Sequence, residues 1–175
     1  MPAKKNKGKT GKGKQQGNGP GNNSWADHLT RRAKAENYPA RSIYKLEEIQ
    51  KKFKIMKKGD TVLDLGCAPG SWMLYAAKEV GRQGTVFGID LKAVEIKLPP
   101  NITAIKDNIL NMENETFLTD RAGLNVLLSD MAPATTGRKD VDAMRSFELC
   151  SMALNAAEQF LGQGGHFVCK IFQGN

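Results

Sequence analysis

The run Thr61-Val62-Leu63-Asp64-Leu65 leads into the turn Gly66-Cys67-Ala68-Pro69-Gly70. An apolar strand followed by a glycine turn is how α/β proteins approach a nucleotide, because glycine lets the backbone bend tightly and come close to a ligand. Three acids, Asp90, Asp107 and Asp130, each stand just after another apolar run. At the carboxyl end of the second strand, Asp90 can accept hydrogen bonds from ribose hydroxyls. Asp107 is a candidate for the adenine edge, and Asp130 is a third acid at the same end of the sheet. Taken singly, such acids are more often turn or helix-cap residues. Their recurrence at successive strand ends strengthens the joint case. Trp72, beside Gly70, is a candidate lining residue, although its spacing on the following helix equally suits a core aromatic.

The turn also says which nucleotide suits it. Dinucleotide folds use G-x-G-x-x-G, which aims backbone N–H groups at a pyrophosphate. Here only Gly66 and Gly70 are present, and Pro69 removes a donor. A cofactor without phosphates fits better. S-adenosylmethionine, an adenosine joined to an amino acid, is such a molecule. A strand–turn–helix junction without a ligand is the plain alternative, since short glycine motifs are weak evidence by themselves.

These residues need a sheet to position them. Thr61–Leu65, Thr85–Asp90, 102–105, Leu124–Ser129 and 166–172 read as strands. Ser71–Val80 reads as a helix stopped by Gly81. Further helices are expected from Ser24, as N-cap, to before Tyr38-Pro39, over about 41–53, over about 113–121, and over about 140–161. The second should bury Ile43, Leu46, Ile49 or Gln50, and Phe53. The last should present Phe147, Leu154 and Leu161 as one stripe, with Gly162 to Gly165 ending it. Alternating strands and helices predict an α/β fold, a mostly parallel sheet with helices on both faces.

The chain has 175 residues, enough for one domain with a hydrophobic core. Its formal charge of +8 is unevenly spread. Residues 1–23 hold Lys4, Lys5, Lys7, Lys9, Lys12 and Lys14 and no acid, so they carry +6 of it. Almost nothing there is apolar, so residues 1–23 are expected to be a disordered basic tail and 24–175 the folded domain. The tail suits either a solubiliser or an arm that attracts phosphates. Cys67, Cys150 and Cys169 show no C-x-x-C spacing, and His28 and His166 stand alone. No disulfide framework and no metal site are expected, and a reducing, cytoplasmic setting fits. No apolar run is long enough to span a membrane.

Together these landmarks resemble the FtsJ/RrmJ family of ribosomal RNA 2′-O-methyltransferases. The resemblance runs from about Tyr38 to Gly174. It rests on Arg41-Ser42-Ile43-Tyr44-Lys45-Leu46-Glu47-Glu48-Ile49, on Asp64-Leu65-Gly66-Cys67-Ala68-Pro69-Gly70-Ser71-Trp72, on Ser129-Asp130-Met131-Ala132-Pro133 and on Lys170-Ile171-Phe172-Gln173-Gly174. It implies a Rossmann-like methyltransferase that uses S-adenosylmethionine and a Lys-Asp-Lys-Glu tetrad, of which Lys45, Asp130 and Lys170 match three members. It implies cofactor contacts at Gly70, Trp72, Asp90, Asp107 and Asp130. It also implies the substrate, a uridine ribose 2′-hydroxyl in large-subunit ribosomal RNA. Free RNA and the assembled large subunit both stay open as the form recognised, and a monomer is expected because nothing in the sequence suggests a dimer.

The chemistry is consistent with that set. A sulfonium methyl is already electrophilic, so alignment with the attacking oxygen is the main task. Lys170 is the family's candidate base. A free lysine titrates near 10.4 and is charged at neutral pH. A second cation and desolvation favour the neutral form, whereas a nearby acid opposes it, so Asp130 chiefly orients.

Two departures stand out. Ser71 replaces a second glycine found in many members. The fourth tetrad residue, a Glu, belongs to a further helix and strand pair, so C-terminal strands are expected to be missing and the sequence to be a truncated piece. Two other readings follow from the same residues. One is a non-catalytic RNA-binding or ribosome-assembly factor. The other is a methyltransferase with another target, although Asp130-Met131-Ala132-Pro133 lacks the aromatic that would stack on a flipped base.

Overall fold

The computed structural model describes residues 24–114 and 123–174. The tail over 1–23 and most of the helix expected over 113–121 lie outside the described residues. In chain order the elements are α1 (Ser24–Ala35), α2 (Ile43–Phe53), β1 (Thr61–Leu65), α3 (Ser71–Val80), β2 (Thr85–Asp90) and β3 (Ile102–Lys106). A 3-10 turn (Ile109–Asn114), β4 (Leu124–Ser129), α4 (Lys139–Phe160) and β5 (Leu161–Cys169) follow.

Five parallel strands form one sheet in the order β3-β2-β1-β4-β5. Successive side chains alternate between its faces. Val62, Val86, Val126 and Leu128 pack with Ile43 and Leu46 of α2 and Met73 and Val80 of α3. Leu63, Leu65, Phe87, Ile89 and Leu127 pack with Ala153, Ala156 and Ala157 of α4. Burial on both faces is why these strands read as nearly unbroken apolar runs.

Three expectations need correction. Phe53 does not join the buried face of α2 and is 60% exposed. Left-handed Lys54 (φ 50°) ends the helix there, and the next two residues, Ile55 and Met56, fill the core instead. On α4, Phe147 and Leu154 point outward, and the face toward the sheet is built of Ser146, Ala153, Ala156 and Ala157. Small residues let the helix axis approach the strands closely, which bulky ones would prevent. Finally, β5 starts at Leu161 and ends at Cys169 rather than running 166–172. Leu161 pairs with Leu124, and the register then shifts so that Val126 pairs with His166. The intervening Gly162-Gln163-Gly164-Gly165 absorbs that irregularity, with Gly164 at φ 78°.

Candidate active site

β1, β2 and β3 build outward in one direction, and β4 then returns to the other side of β1. The carboxyl ends of β1 and β4 therefore flank the point where the winding reverses, the usual ligand crevice of such sheets. A cleft of about 420 Å³ opens there. Gly66 and Ala68 line it from the turn, Asp90 from β2, Asn108 and Ile109 from the 3-10 turn, Asp130 and Met131 from the end of β4, and Leu149 and Met152 from α4. A smaller recess adjoins it, shares Gly66, Ala68 and Asp130, and adds Ser42, Asp64 and Trp72.

The turn is braced from β2. Gly66 and Cys67 donate their N–H groups to the Ile89 carbonyl at 2.9 and 3.3 Å. One Asp90 oxygen accepts from Ala68 N at 2.9 Å and the other from Lys92 N at 2.8 Å. Gly66 has φ 76°, and a Cβ there would lie 2.5 Å from Met131 Cγ. Gly70, at φ 110°, caps α3, and a Cβ on it would meet Ile96 Cδ1 at 2.9 Å. Conformation requires glycine at both positions, and at Gly66 the close approach of Met131 adds a demand for space.

Asp64 is the electrostatic centre of the recess. It is 1% exposed, and neither carboxylate oxygen has a hydrogen-bond partner. Burial, reinforced by Asp130 and Asp90, pushes its carboxyl well above the ordinary range. Burial likewise pushes the neighbouring Cys67 thiol up. A buried orphan acid of this kind calls for a cation or a proton.

Lys170 follows β5 directly, and its N–H donates to the Ser129 carbonyl at 2.9 Å. That bond sets the side chain across from Asp130. Lys170 Nζ donates to Asp130 Oδ1 at 2.8 Å and to the Asp130 carbonyl at 2.5 Å. Both side chains are partly buried, 23% and 18% exposed, so the pair is only partly screened by water. From the other side, the Cys150 thiol donates to the Lys170 carbonyl at 3.0 Å.

The other sequence-derived candidates are placed differently. Lys45 is exposed on the first turn of α2, the turn that begins at the recess with Ser42. Trp72 is buried, donates from Nε1 to the Ser42 carbonyl at 3.0 Å and lines the recess, so it serves core and site together. Asp107 does not line the cleft. Its Oδ1 accepts from Asn108 N at 2.6 Å and from Asn111 Nδ2 at 2.8 Å, and its neighbour Asn108 faces the cleft instead. Asp64 was not among the candidates. Its signal is an acid inside the otherwise apolar run Val62-Leu63-Asp64-Leu65.

FtsJ-like methyltransferases match residues 38–175 of the chain. The chain belongs to the FtsJ-like methyltransferase family. It is 57% identical over 155 residues to a protein named ribosomal RNA large subunit methyltransferase E from Desulforapulum autotrophicum, covering 89% of this chain and 76% of that one. It is 54% identical over 148 residues to the protein of the same name from Desulfosudis oleivorans, covering 85% and 72%. A crystal structure described as a ribosomal RNA methyltransferase from Plasmodium falciparum superposes with a TM-score of 0.71 at 29% identity, over 79% of this chain and 80% of that one.

The methyl donor of this FtsJ-like enzyme is S-adenosylmethionine. The residues fit it. The orphaned Asp64 carboxylate matches a cationic amino-acid moiety, and the turn needs no phosphate partner. The apolar side of the cleft, with Ile89, Ile109 and Met131, suits a heteroaromatic ring. Among the described residues no helix is long and apolar enough to cross a membrane, and no group of three His, Cys, Asp or Glu is placed to hold a metal ion.

Proposed function

We propose that this chain methylates a ribose 2′-hydroxyl of a uridine in large-subunit ribosomal RNA. The observation that carries the reading is Lys170 Nζ, clamped by the side chain and carbonyl of Asp130 beside the orphaned Asp64. A methyltransferase acting on a hydroxyl needs a base whose position is fixed, and this lysine has two oxygen ligands and little freedom.

In this reading Asp64 holds the cofactor's ammonium, Asp90 accepts from its ribose hydroxyls, and Asn108, with Asp107 behind it, faces the adenine. Gly70 and Trp72 shape the turn that carries them. When bound, the cofactor supplies an electrophilic methyl. Asp130 points Lys170 Nζ at the incoming 2′-hydroxyl, and Lys170 is the residue that accepts the hydroxyl proton as the oxygen attacks. Lys45, on the exposed first turn of α2, contributes positive charge at the mouth of the site. The six lysines of residues 1–23 add a phosphate-seeking arm, and the chain works as a monomer on RNA in the assembled large subunit.

The test is transfer of a tritiated methyl to assembled large ribosomal subunits and, side by side, to free ribosomal RNA, followed by nuclease digestion to locate the label. Label on a ribose oxygen, lost with Lys170→Ala while calorimetry still shows cofactor binding, supports the proposal. Label on a base atom, or full activity of Lys170→Ala, overturns it.

A further inference from the structure

The end of α2 and the turn after it form a second feature that the cofactor site does not use. Residues 51–58 read Lys-Lys-Phe-Lys-Ile-Met-Lys-Lys, five lysines and no acid. Ile55 and Met56 are buried and anchor the turn. The Gln50 side chain clamps it, accepting from Met56 N and donating to the Met56 carbonyl, both at 2.9 Å. Lys54 N closes the helix on the Gln50 carbonyl at 2.9 Å. Phe53 is thus an exposed ring on a turn of fixed shape, and Lys52 Nζ stands 5.0 Å from its centroid.

Not all five lysines are available. Lys51 pairs with Glu47 at 2.9 Å, and Lys58 donates to the Lys78 carbonyl at 3.0 Å. Lys52, Lys54 and Lys57 are exposed and make no ion pair among the described residues. An exposed aromatic ring amid unpaired ammonium groups matches one ligand well. Bases of single-stranded nucleic acid stack on rings, and their phosphates take the cations. An acidic protein would use the charges but has no need of a stacking face, whereas an anionic lipid surface would take the ring as an apolar anchor, so binding to anionic phospholipid vesicles that is lost in Phe53→Ala overturns the RNA assignment.

We propose that Phe53, with Lys52, Lys54 and Lys57, is a second RNA contact that stacks an unpaired base away from the reacting nucleotide. The proposal rests on the RNA substrate proposed above and deepens it. Eight residues separate Lys45 from Phe53, about 12 Å along the helix axis at about 1.5 Å per residue. At about 3.4 Å per stacked nucleotide, the platform sits roughly three to four nucleotides along the strand from Lys45. It sets where on the RNA the enzyme docks and takes no part in methyl transfer.

The experiment compares wild type with Phe53→Ala, Phe53→Leu and Phe53→Tyr in the whole chain. The probes are a fluorescein-labelled single-stranded oligoribonucleotide and, as a base-free polyanion, inorganic polyphosphate. Loss of stacking should raise the RNA Kd about tenfold in the Ala and Leu variants, a change of about 1.4 kcal/mol. Phe53→Tyr should restore it, and polyphosphate binding and cofactor affinity should not change. In the wild-type protein, ultraviolet cross-linking should attach the oligonucleotide to the peptide containing Phe53. Unchanged RNA binding in Phe53→Ala and Phe53→Leu overturns the proposal. So does an equal loss of polyphosphate binding, which would mean charge alone, or an acidic peptide displaced by Phe53→Ala, which would mean a protein occupant. If Phe53 variants lose RNA but the enzyme transfers no methyl to ribosomal RNA, the proposed function fails and the platform stands.

Discussion

Asp64→Asn separates what the buried acid does to the fold from what it does for the cofactor. In the cofactor-free protein this carboxyl is fully buried, lacks a hydrogen-bond partner and faces the negative fields of Asp130 and Asp90. Its folded pKa is raised, so between the ordinary carboxylate value and the folded value the native state binds a proton that the unfolded chain has released. Stability then falls as pH rises, by about 1.36 kcal/mol per pH unit at most. Asparagine has nearly the same shape and no charge to titrate. It keeps an unsatisfied amide, a cost of about 1–3 kcal/mol that the protonated acid also bears. Asp64→Asn should therefore be the more stable cofactor-free protein at pH 7, and its stability should depend less on pH. Urea unfolding at pH 5, 6, 7 and 8 measures both. The same substitution should weaken S-adenosylmethionine binding about 10- to 150-fold, the loss expected when a charged hydrogen bond of about 1.5–3 kcal/mol is removed. A variant that is less stable than wild type at pH 7, keeps the full pH slope, or binds cofactor normally would refute the reasoning.

Other substitutions address other parts of the site. Asp130→Asn leaves the carbonyl that Lys170 also contacts but removes the carboxylate, so single-turnover methyl transfer should slow about 100-fold or more. Gly66→Ala forces a Cβ toward Met131 Cγ at a positive φ, and should cost about 1–3 kcal/mol in thermal unfolding and weaken cofactor binding. Asp142 accepts from Thr136 N, Thr136 Oγ1 and Gly137 N, and these bonds lower its pKa. Its contribution is present above the ordinary carboxylate value and lost as pH falls through the folded one. The gap in thermal midpoint between wild type and Asp142→Ala should accordingly close in acid. Gln50→Ala removes both bonds to Met56 and should speed hydrogen exchange across 54–58 without changing exchange in β1.

The limits of β1, β2, β4 and α3 were legible in the amino-acid sequence. Strands buried on both faces must be continuous apolar runs, and Gly66, Gly70, Gly81 and the terminal Asp90 punctuate them because backbone turns demand such residues. The glycine turn without a phosphate motif likewise pointed to the class of cofactor before any coordinates. Helical periodicity could not say which stripe of α4 meets the sheet. Packing chose the alanines over Phe147 and Leu154 because close approach needs small side chains, and a left-handed Lys54 turned Phe53 outward. The family resemblance grouped Lys170 with Asp130, forty residues away, and the tertiary structure supplied the contact itself, since a parallel pairing of β4 with β5 brings their carboxyl ends together. Only the tertiary structure left Asp64 without a partner, because orphanhood depends on what every neighbouring element fails to supply.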